Sequence, residues 1–376
     1  MRILTISLNA WNEKLATGNS FSNFFANLGP SDKIANIYCR NELVDNKLCD
    51  CYFRITEIDI LKGIMHLSSC GKEYNPLELK EMDVRKQSIL ASNNPKGNKL
   101  RRKRPASLLF IREFIWSLGT WKNNRLKNFL DDFKPDIIYM HGHTNWYMHK
   151  LLWFCKKYTG AKVALFSGDD IFSCHRAGAL QRLYHWILRS KLYYSFTHAD
   201  IVFGGSPQLC KEYSAILGIK IYPLYKTCYM LNKPFLHERN FPLQMVYCGN
   251  LLYGRDEVLH EVVKQLKILN REKTILQMHI YSSSVLELKY EATLNDGIDC
   301  FFEGAKDFST IEKILDKCDF CLFAESYSEI YTKTTRLSFS TKIIDYLRAN
   351  SALVIIGPSN IASIDYLKKA NIGFYV

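Results

Sequence analysis

The sequence predicts an α/β protein of two Rossmann-like domains, each a parallel sheet with helices on its faces. Buried strands at residues 3–8 and 243–248 are each followed by a glycine-containing loop and then an amphipathic helix. Residues 219–242 hold scattered prolines without clean periodicity, which is typical of a linker. A chain of 376 residues is long enough for two cores, so the predicted domains are 1–225 and 226–376.

The charge balance favours anionic partners. A net charge of +13 and a pI near 9.1 suit a nucleotide-sugar diphosphate, an anionic membrane face or nucleic acid. The 12 cysteines are scattered, and the close pairs Cys49/Cys51 and Cys318/Cys321 set up neither a zinc site nor a disulfide framework. We therefore expect reduced thiols and no bound metal.

The chain is predicted to be cytoplasmic. Its first apolar run, residues 1–8, is too short for a secretory signal. No apolar run approaches the roughly 18 residues that a membrane span needs.

The first loop is a candidate ligand contact, because it contains Gly18 and Asn19 ahead of a predicted helix with Phe21 and Phe24 on one face. The dinucleotide fingerprint Gly-x-Gly-x-x-Gly is absent. Gly18 either turns the chain or lets the backbone approach a ligand, and both interpretations remain open.

A basic run at residues 92–104 precedes an apolar, aromatic-rich helical segment that reaches Leu118. This combination predicts docking of residues 96–121 on an anionic membrane surface. The alternative is a solvated charge run with a core helix behind it. Nucleic acid ranks last, since no nucleic-acid-binding motif accompanies the basic residues.

Polar residues follow two predicted strands of the first half. His141 and His143 follow one strand, and Asp169 and Asp170 follow the next. The carboxyl ends of parallel strands meet at one edge of a sheet, so these side chains are expected to line one cleft. The alternative is that they are hydrogen-bonded turn residues.

The second half places Arg255 at a predicted helix start, shortly after Gly249 and Asn250. An arginine there opposes the helix-dipole preference for acidic residues, which favours a phosphate-binding role.

Residues 336–358 predict a loop, a helix and a buried strand. Ser340 and Thr341 are cap-type residues before a helix that begins near Lys342, and its mouth would attract a phosphate. Asp345, one turn further, could accept hydrogen bonds from a ribose. A capped surface helix with a solvated lysine is the alternative, and both interpretations remain open.

This segment resembles the donor-nucleotide signature of GT-B retaining glycosyltransferases of family four. That signature reads Ser-Phe-Pro-Ser-Lys, two hydrophobic residues, then Glu-Tyr-Leu. The chain has Ser340-Thr341 for Pro-Ser, Asp345 for Glu and Asn350 for a glycine. The signature's first acidic residue falls on Leu337, so that half is missing.

The resemblance implies a GT-B fold whose two domains face an interdomain cleft. It implies a retaining, metal-independent transfer of sugar from a nucleotide-sugar to a glycan or lipid-linked acceptor in polysaccharide synthesis. The donor is a substrate, and no cofactor is expected. The implied catalytic residues are Arg255, Lys342, Asp169 and Asp170. The implied donor-binding residues are Gly18, Asn19, Gly249, Asn250, Glu303, Ser340, Thr341 and Asp345, and the acceptor cleft would hold His141 and His143.

Two departures and two rival functions accompany this interpretation. Many members carry a histidine at the Gly168–Asp170 position, and none stands there in this chain. Members usually continue past the last strand with helices. We expect this sequence either to be truncated or to lack those helices by nature, and either case would weaken domain closure. The rivals are a nucleotide-sugar 2-epimerase on the same fold and an inactive basic module that binds a ligand or a membrane.

Overall fold

The computed structural model describes residues 1–13, 16–65, 69–76, 78–79, 106–173, 178–228 and 239–376. The basic run at 92–104, and with it the start of the predicted membrane segment, lies outside the described residues. The chain divides into two compact units. The first is Met1–Gly205 with Cys210–Leu224, and the second is Ser206–Leu209 with Tyr225–Val376.

The first unit contains a largely parallel sheet. Its described strands are β1 (Arg2–Ser7), β2 (Lys33–Tyr38), β3 (Cys51–Arg54), β4 (Lys72–Tyr74), β5 (Ile137–His141), β6 (Lys162–Ser167), β7 (Ile201–Gly204) and β8 (Tyr222–Pro223). Their order is β4-β3-β2-β1-β5-β6-β7-β8, and β4 alone among them runs antiparallel to its neighbour. Side chains on both faces of β1 are buried, as expected for a parallel sheet covered on both sides.

The described helices up to residue 217 are α1 (Ala16–Phe24), α2 (Glu57–Ile64), α3 (Ala106–Ser117), α4 (Asn124–Phe133), α5 (Trp146–Thr159), α6 (Ala179–His198) and α7 (Pro207–Leu217). Their inward faces carry the predicted periodicity. In α4, for example, Leu126, Phe129 and Phe133 are buried, and Asn123 caps the helix by accepting from the Leu126 N–H.

The second unit has an all-parallel sheet. Its strands are β9 (Leu243–Cys248), β10 (Leu276–Tyr281), β11 (Cys300–Gly304), β12 (Phe320–Ala324), β13 (Ala352–Ile356) and β14 (Phe374–Tyr375), in the order β11-β10-β9-β12-β13-β14. Its described helices are α8 (Arg255–Leu269), α9 (Leu288–Leu294), α10 (Phe308–Leu315), α11 (Glu329–Thr335), α12 (Lys342–Arg348) and α13 (Ala362–Lys369). Separate apolar clusters fill the two faces of this sheet.

Each sheet contains a point where the strand order reverses. In the first unit it lies between β1 and β5, and in the second between β9 and β12. Loops leave the two strands of such a pair in opposite directions, which opens a crevice beyond their carboxyl ends. The two-sheet α/β architecture predicted from the sequence is confirmed. Among the described helices, none has the length and hydropathy that crossing a bilayer requires.

Candidate functional site

Arg255 lies at the strand-order reversal of the second unit, held by two acceptors. Its Nη1 donates to Asn250 Oδ1 and its Nη2 to Glu325 Oε1, both at 2.7 Å. The preceding Tyr253 and Gly254 have φ values of 63° and 72°, so the backbone turns through the left-handed region directly into α8. The guanidinium is thereby fixed between the loops that follow β9 and β12.

Lys342 reaches the same place from α12. Tyr346, one turn further along that helix, exchanges two hydrogen bonds with Cys248: its hydroxyl accepts from the N–H at 3.0 Å and donates to the carbonyl at 3.1 Å. These bonds fix α12 beside the end of β9. A β-carbon built at Gly249 would lie 2.3 Å from Lys342 Nζ, so any larger residue here would force the amine to move.

The Lys342 ammonium has no ion-pair partner among the described residues. No described residue accepts a hydrogen bond from its Nζ or forms an ion pair with it, and the ring of Tyr247 is centred 6.0 Å away. Burial, followed by the charge of Arg255, lowers the pKa of Lys342 to about 8. The lysine is therefore mostly protonated at neutral pH, and an anion placed here would meet two cations.

Glu325 completes the cluster and is the residue that sequence reasoning missed. Its side chain is 4% exposed; one oxygen accepts from Arg255, while the other, Oε2, is buried without a hydrogen-bond partner among the described residues. Its position directly after the buried strand β12 is the same signal that singled out Asp169 and Asp170. Tyr247, also unpredicted, donates from its hydroxyl to the Asn250 carbonyl at 2.8 Å.

The start of α12 differs from the predicted capped helix. Thr341 is the N-cap, but its side chain makes no capping bond. The Ser340 N–H donates to Ser363 Oγ from α13 at 2.9 Å, so this backbone donor is occupied. The prediction that hydroxyl side chains cap this helix is wrong for Thr341, because its backbone is already helical (φ −63°, ψ −18°) and not extended as in a capping residue. Whether Ser340 and Thr341 contact a donor stays a prediction.

Asp345 and Glu303 have partners inside the second unit. Asp345 Oδ1 accepts from Lys226 Nζ at 2.7 Å. Glu303 Oε1 lies 3.1 Å from Nδ1 of His279 on the neighbouring strand. The nucleotide contacts expected of both carboxylates stay predictions.

Asp169 and Asp170 organise the loop after β6. Asp170 Oδ1 accepts from the Tyr213 hydroxyl and from the Ser173 N–H, both at 3.1 Å. The Asp169 carbonyl accepts from Ser167 Oγ at 3.0 Å. These contacts fit the turn-residue alternative, and a catalytic role for either aspartate stays a prediction.

His141 ends β5, at the strand-order reversal of the first unit, and His143 lies two residues further along the chain. The ring of His141 is packed against Phe21 at a centroid distance of 4.6 Å and against Phe166 at 4.7 Å. Both histidines have a buried Nε2 without a hydrogen-bond partner among the described residues. Burial, followed by a neighbouring histidine, lowers the pKa of each to about 3. Both imidazoles are therefore neutral at physiological pH.

Gly18 and Asn19 lie inside α1 rather than in the loop before it, so the predicted helix start was wrong by a few residues. A β-carbon at Gly18 would lie 2.0 Å from the carbonyl oxygen of Asn12. Gly18 therefore lets α1 pack directly on the loop that follows β1. A contact of either residue with a ligand stays a prediction.

Of the predicted residues, the structure brings together Gly249, Asn250, Arg255 and Lys342, and it adds Glu325. Among the described residues, no group of three His, Cys, Asp or Glu side chains is placed to hold a metal ion. The assembled cluster is a rigid, partly buried pair of cations with one carboxylate. That arrangement suits a phosphorylated ligand.

No protein-family model and no curated protein matches the sequence. Solved structures do match along the whole chain. An α,α-trehalose-phosphate synthase (UDP-forming) from Burkholderia xenovorans, in complex with glucose-6-phosphate, has a TM-score of 0.58 at 9% identity, covering 100% of this chain and 88% of that one. A sucrose-phosphate synthase from Thermosynechococcus elongatus has a TM-score of 0.55 at 11% identity, covering 100% and 86%.

A third match is the apo form of the lipopolysaccharide outer core galactosyltransferase WaaB, with a TM-score of 0.50 and 14% identity, covering 100% of this chain and 92% of that one. At these identities the likeness concerns the fold alone. The chain therefore has the GT-B glycosyltransferase fold that the resemblance implied.

Proposed function

We propose that the protein is a glycosyltransferase that moves a sugar from a nucleotide-sugar to a glycan or lipid-linked acceptor with retention of configuration. The observation that carries the proposal is the Lys342 ammonium, which has no ion-pair partner among the described residues and lies beside Arg255 at the strand-order reversal of the second unit. A nucleotide-sugar supplies the missing anion, since its diphosphate carries charge in this range of pH. The fold of the matched structures supports the same class of reaction.

The chemistry that these residues can perform is electrostatic. As the bond between the sugar and the diphosphate breaks, negative charge grows on the departing phosphate. Lys342 and Arg255 stabilise that charge with groups that are already in position, so little reorganisation is needed during the reaction. This arrangement requires neither a metal ion nor a cofactor in the proposed mechanism.

The remaining roles follow the resemblance and are part of the proposal. Asp345 would hold the ribose, and Glu303 would face the base. His141 and His143, as neutral imidazoles, would form hydrogen bonds with the glycan or lipid-linked acceptor substrate rather than attract an anion. A lipid-linked acceptor in polysaccharide synthesis would place the enzyme at the inner face of the membrane.

The test is binding of uridine and guanosine diphosphate, together with hydrolysis of a panel of nucleotide-sugars. Lys342→Ala should weaken diphosphate binding about ten- to a hundredfold, the value of a charge-assisted contact. Lys264→Ala is the matched control, because this exposed lysine on α8 pairs only with Glu261 among the described residues. It should leave binding unchanged.

Equal diphosphate affinity in wild type and Lys342→Ala would contradict the proposal. Release of free nucleotide with an epimerised sugar, in the absence of any acceptor, would assign the site to an epimerase instead.

A further inference from the structure

Three helices of the first unit pack side by side, with α3 between α2 and α6. Arg112 Nε on α3 contacts Glu57 Oε1 on α2 at 2.9 Å. On the other side, the rings of Phe110 and Tyr184 meet edge to face at 5.4 Å. The three helices thus form one continuous layer.

The outward face of this layer is apolar. On α3 and just beyond it, Leu108, Ile111, Phe114 and Leu118 recur at helical spacing and are all exposed, opposite the buried Glu113 and Trp116. Ile58 and Leu61 extend the exposed surface onto α2, and Leu183 and Trp186 extend it onto α6. Phe114 is 64% exposed and Trp186 is 73% exposed, unusually high values for such large apolar side chains.

The unpaired charges on these three helices have one sign. Their carboxylates are used internally: Glu57 pairs with Arg112, Asp59 belongs to the capping box of α2, and Glu113 is buried. Helix α6 contains no acidic residue and exposes Arg182, Arg189 and Lys191. An apolar, aromatic surface with cations on the same helices is complementary to an interface that is apolar inside and anionic outside.

We propose that the outward face of α2, α3 and α6 docks on the surface of a bilayer that contains anionic lipids. Phe114, Trp186 and the aliphatic side chains between them enter the headgroup region, and the cations of α6 pair with lipid phosphates. A bilayer fits these charges, because its anionic headgroups supply negative charge at every position beside an apolar interior.

This surface deepens the proposed function by bringing the enzyme to a lipid-linked acceptor. It includes α2 and α6, which the sequence did not associate with a membrane. Vesicle binding requires no nucleotide-sugar, so the docking proposal and the proposed reaction can fail separately.

The test is co-sedimentation with vesicles of phosphatidylcholine, with and without phosphatidylglycerol. The wild type should bind the anionic vesicles, and added salt should weaken that binding. The double variant Phe114→Ser/Trp186→Ser should bind at least about tenfold more weakly, since two large aromatic side chains no longer leave water.

The matched control is Ile330→Ser/Leu288→Ser, which removes two equally exposed apolar side chains from the second unit, at 77% and 86% exposure. It should bind vesicles like the wild type. All four positions are exposed, so both variants should fold, and nucleotide-sugar hydrolysis in solution should be unchanged in each.

Equal vesicle binding by wild type and Phe114→Ser/Trp186→Ser would overturn the proposal. So would a lipid-free dimer of the wild type that this variant converts to monomer, because the face would then be an interface between two copies. Lost hydrolysis with intact vesicle binding would count against the proposed reaction alone.

Discussion

The amine of Lys342 is buried, and its neighbours are an aromatic ring, a glycine backbone and another cation. Burial and Arg255 lower its pKa to about 8, while the carboxylate of Glu325 acts in the opposite direction. A lysine in this setting carries its charge at neutral pH and loses it in mildly alkaline solution. Its protonation state therefore falls within a range that binding experiments can cover.

Diphosphate binding should depend on pH through this lysine. Below about 8 the amine is protonated, and affinity should change little around neutral pH, above the second ionisation of the phosphate at about pH 6. Above that value each further pH unit should weaken uridine diphosphate binding by about tenfold, because the cationic form must first be regenerated. Calorimetric titration across this range measures the profile.

Glu325→Gln is the control for this pH profile. The variant removes a charge that raises the pKa of Lys342, so the onset of weakening should move to lower pH. A flat profile in both proteins would contradict the assignment of Lys342 as the phosphate cation.

At the level of single residues, the sequence indicated which residue types belong to the candidate site, but it did not indicate which residues contact one another. Arg255 and Lys342 could be predicted because a cation at a helix start is unusual and points to an anion. Glu325 could not be paired with Arg255 in advance, since 70 residues separate them. Their contact depends on β9 and β12 being neighbours, and strand order is not encoded in hydrophobic periodicity.

Helix α5 shows that the N-terminus of one helix can be capped by a side chain from another helix. Its N-cap residue, Asn145, makes no side-chain capping bond. The carboxylate of Glu113 on α3 instead accepts from the N–H groups of Trp146 at 2.7 Å and Tyr147 at 2.9 Å, and from the Tyr184 hydroxyl at 2.9 Å. One buried side chain thus joins α3, α5 and α6.

Removing this carboxylate should destabilise the first unit. Glu113→Ala leaves the N–H groups of Trp146 and Tyr147 without their acceptor, a loss we expect to cost about 2–3 kcal/mol of unfolding free energy. Glu113→Gln keeps one acceptor oxygen and should cost less. Denaturant unfolding of both variants provides the measurement, and equal stability of Glu113→Ala and wild type would refute this role.

The elements that sequence patterns missed share this dependence on distant groups. The capping of α5 comes from 33 residues upstream, and Ser363 on the next helix accepts from the Ser340 N–H just before α12. Local sequence signals therefore placed the helices and their apolar faces but did not indicate the contacts made at their starts. Packing between elements decided those positions.

The alternation of buried strands and amphipathic helices is what made the whole fold predictable. Parallel strands buried on both faces have continuous apolar runs, and such runs stand out in a sequence. The order of strands within each sheet came only from the structure, and the order determines where the crevices lie.

The excess of positive charge belongs to the molecule as a whole and should affect the rate at which anions arrive. With a net charge of +13, the association rate of a nucleotide-sugar should fall as salt rises from about 0.05 to 0.5 M. Stopped-flow mixing measures this rate. Lys342→Ala changes the net charge by one unit, so it should keep most of the salt dependence while releasing the ligand faster. A salt-independent rate in the wild type would contradict electrostatic attraction.

Glu325, which forms an ion pair with Arg255, competes with the bound product for the guanidinium. The guanidinium already pairs with Glu325, so a diphosphate that binds there shares Arg255 with a carboxylate. Under the proposed function, this nearby negative charge weakens the hold on the spent nucleotide. Two cations without a carboxylate beside them would bind the product more tightly, so Glu325 favours rapid turnover over tight retention.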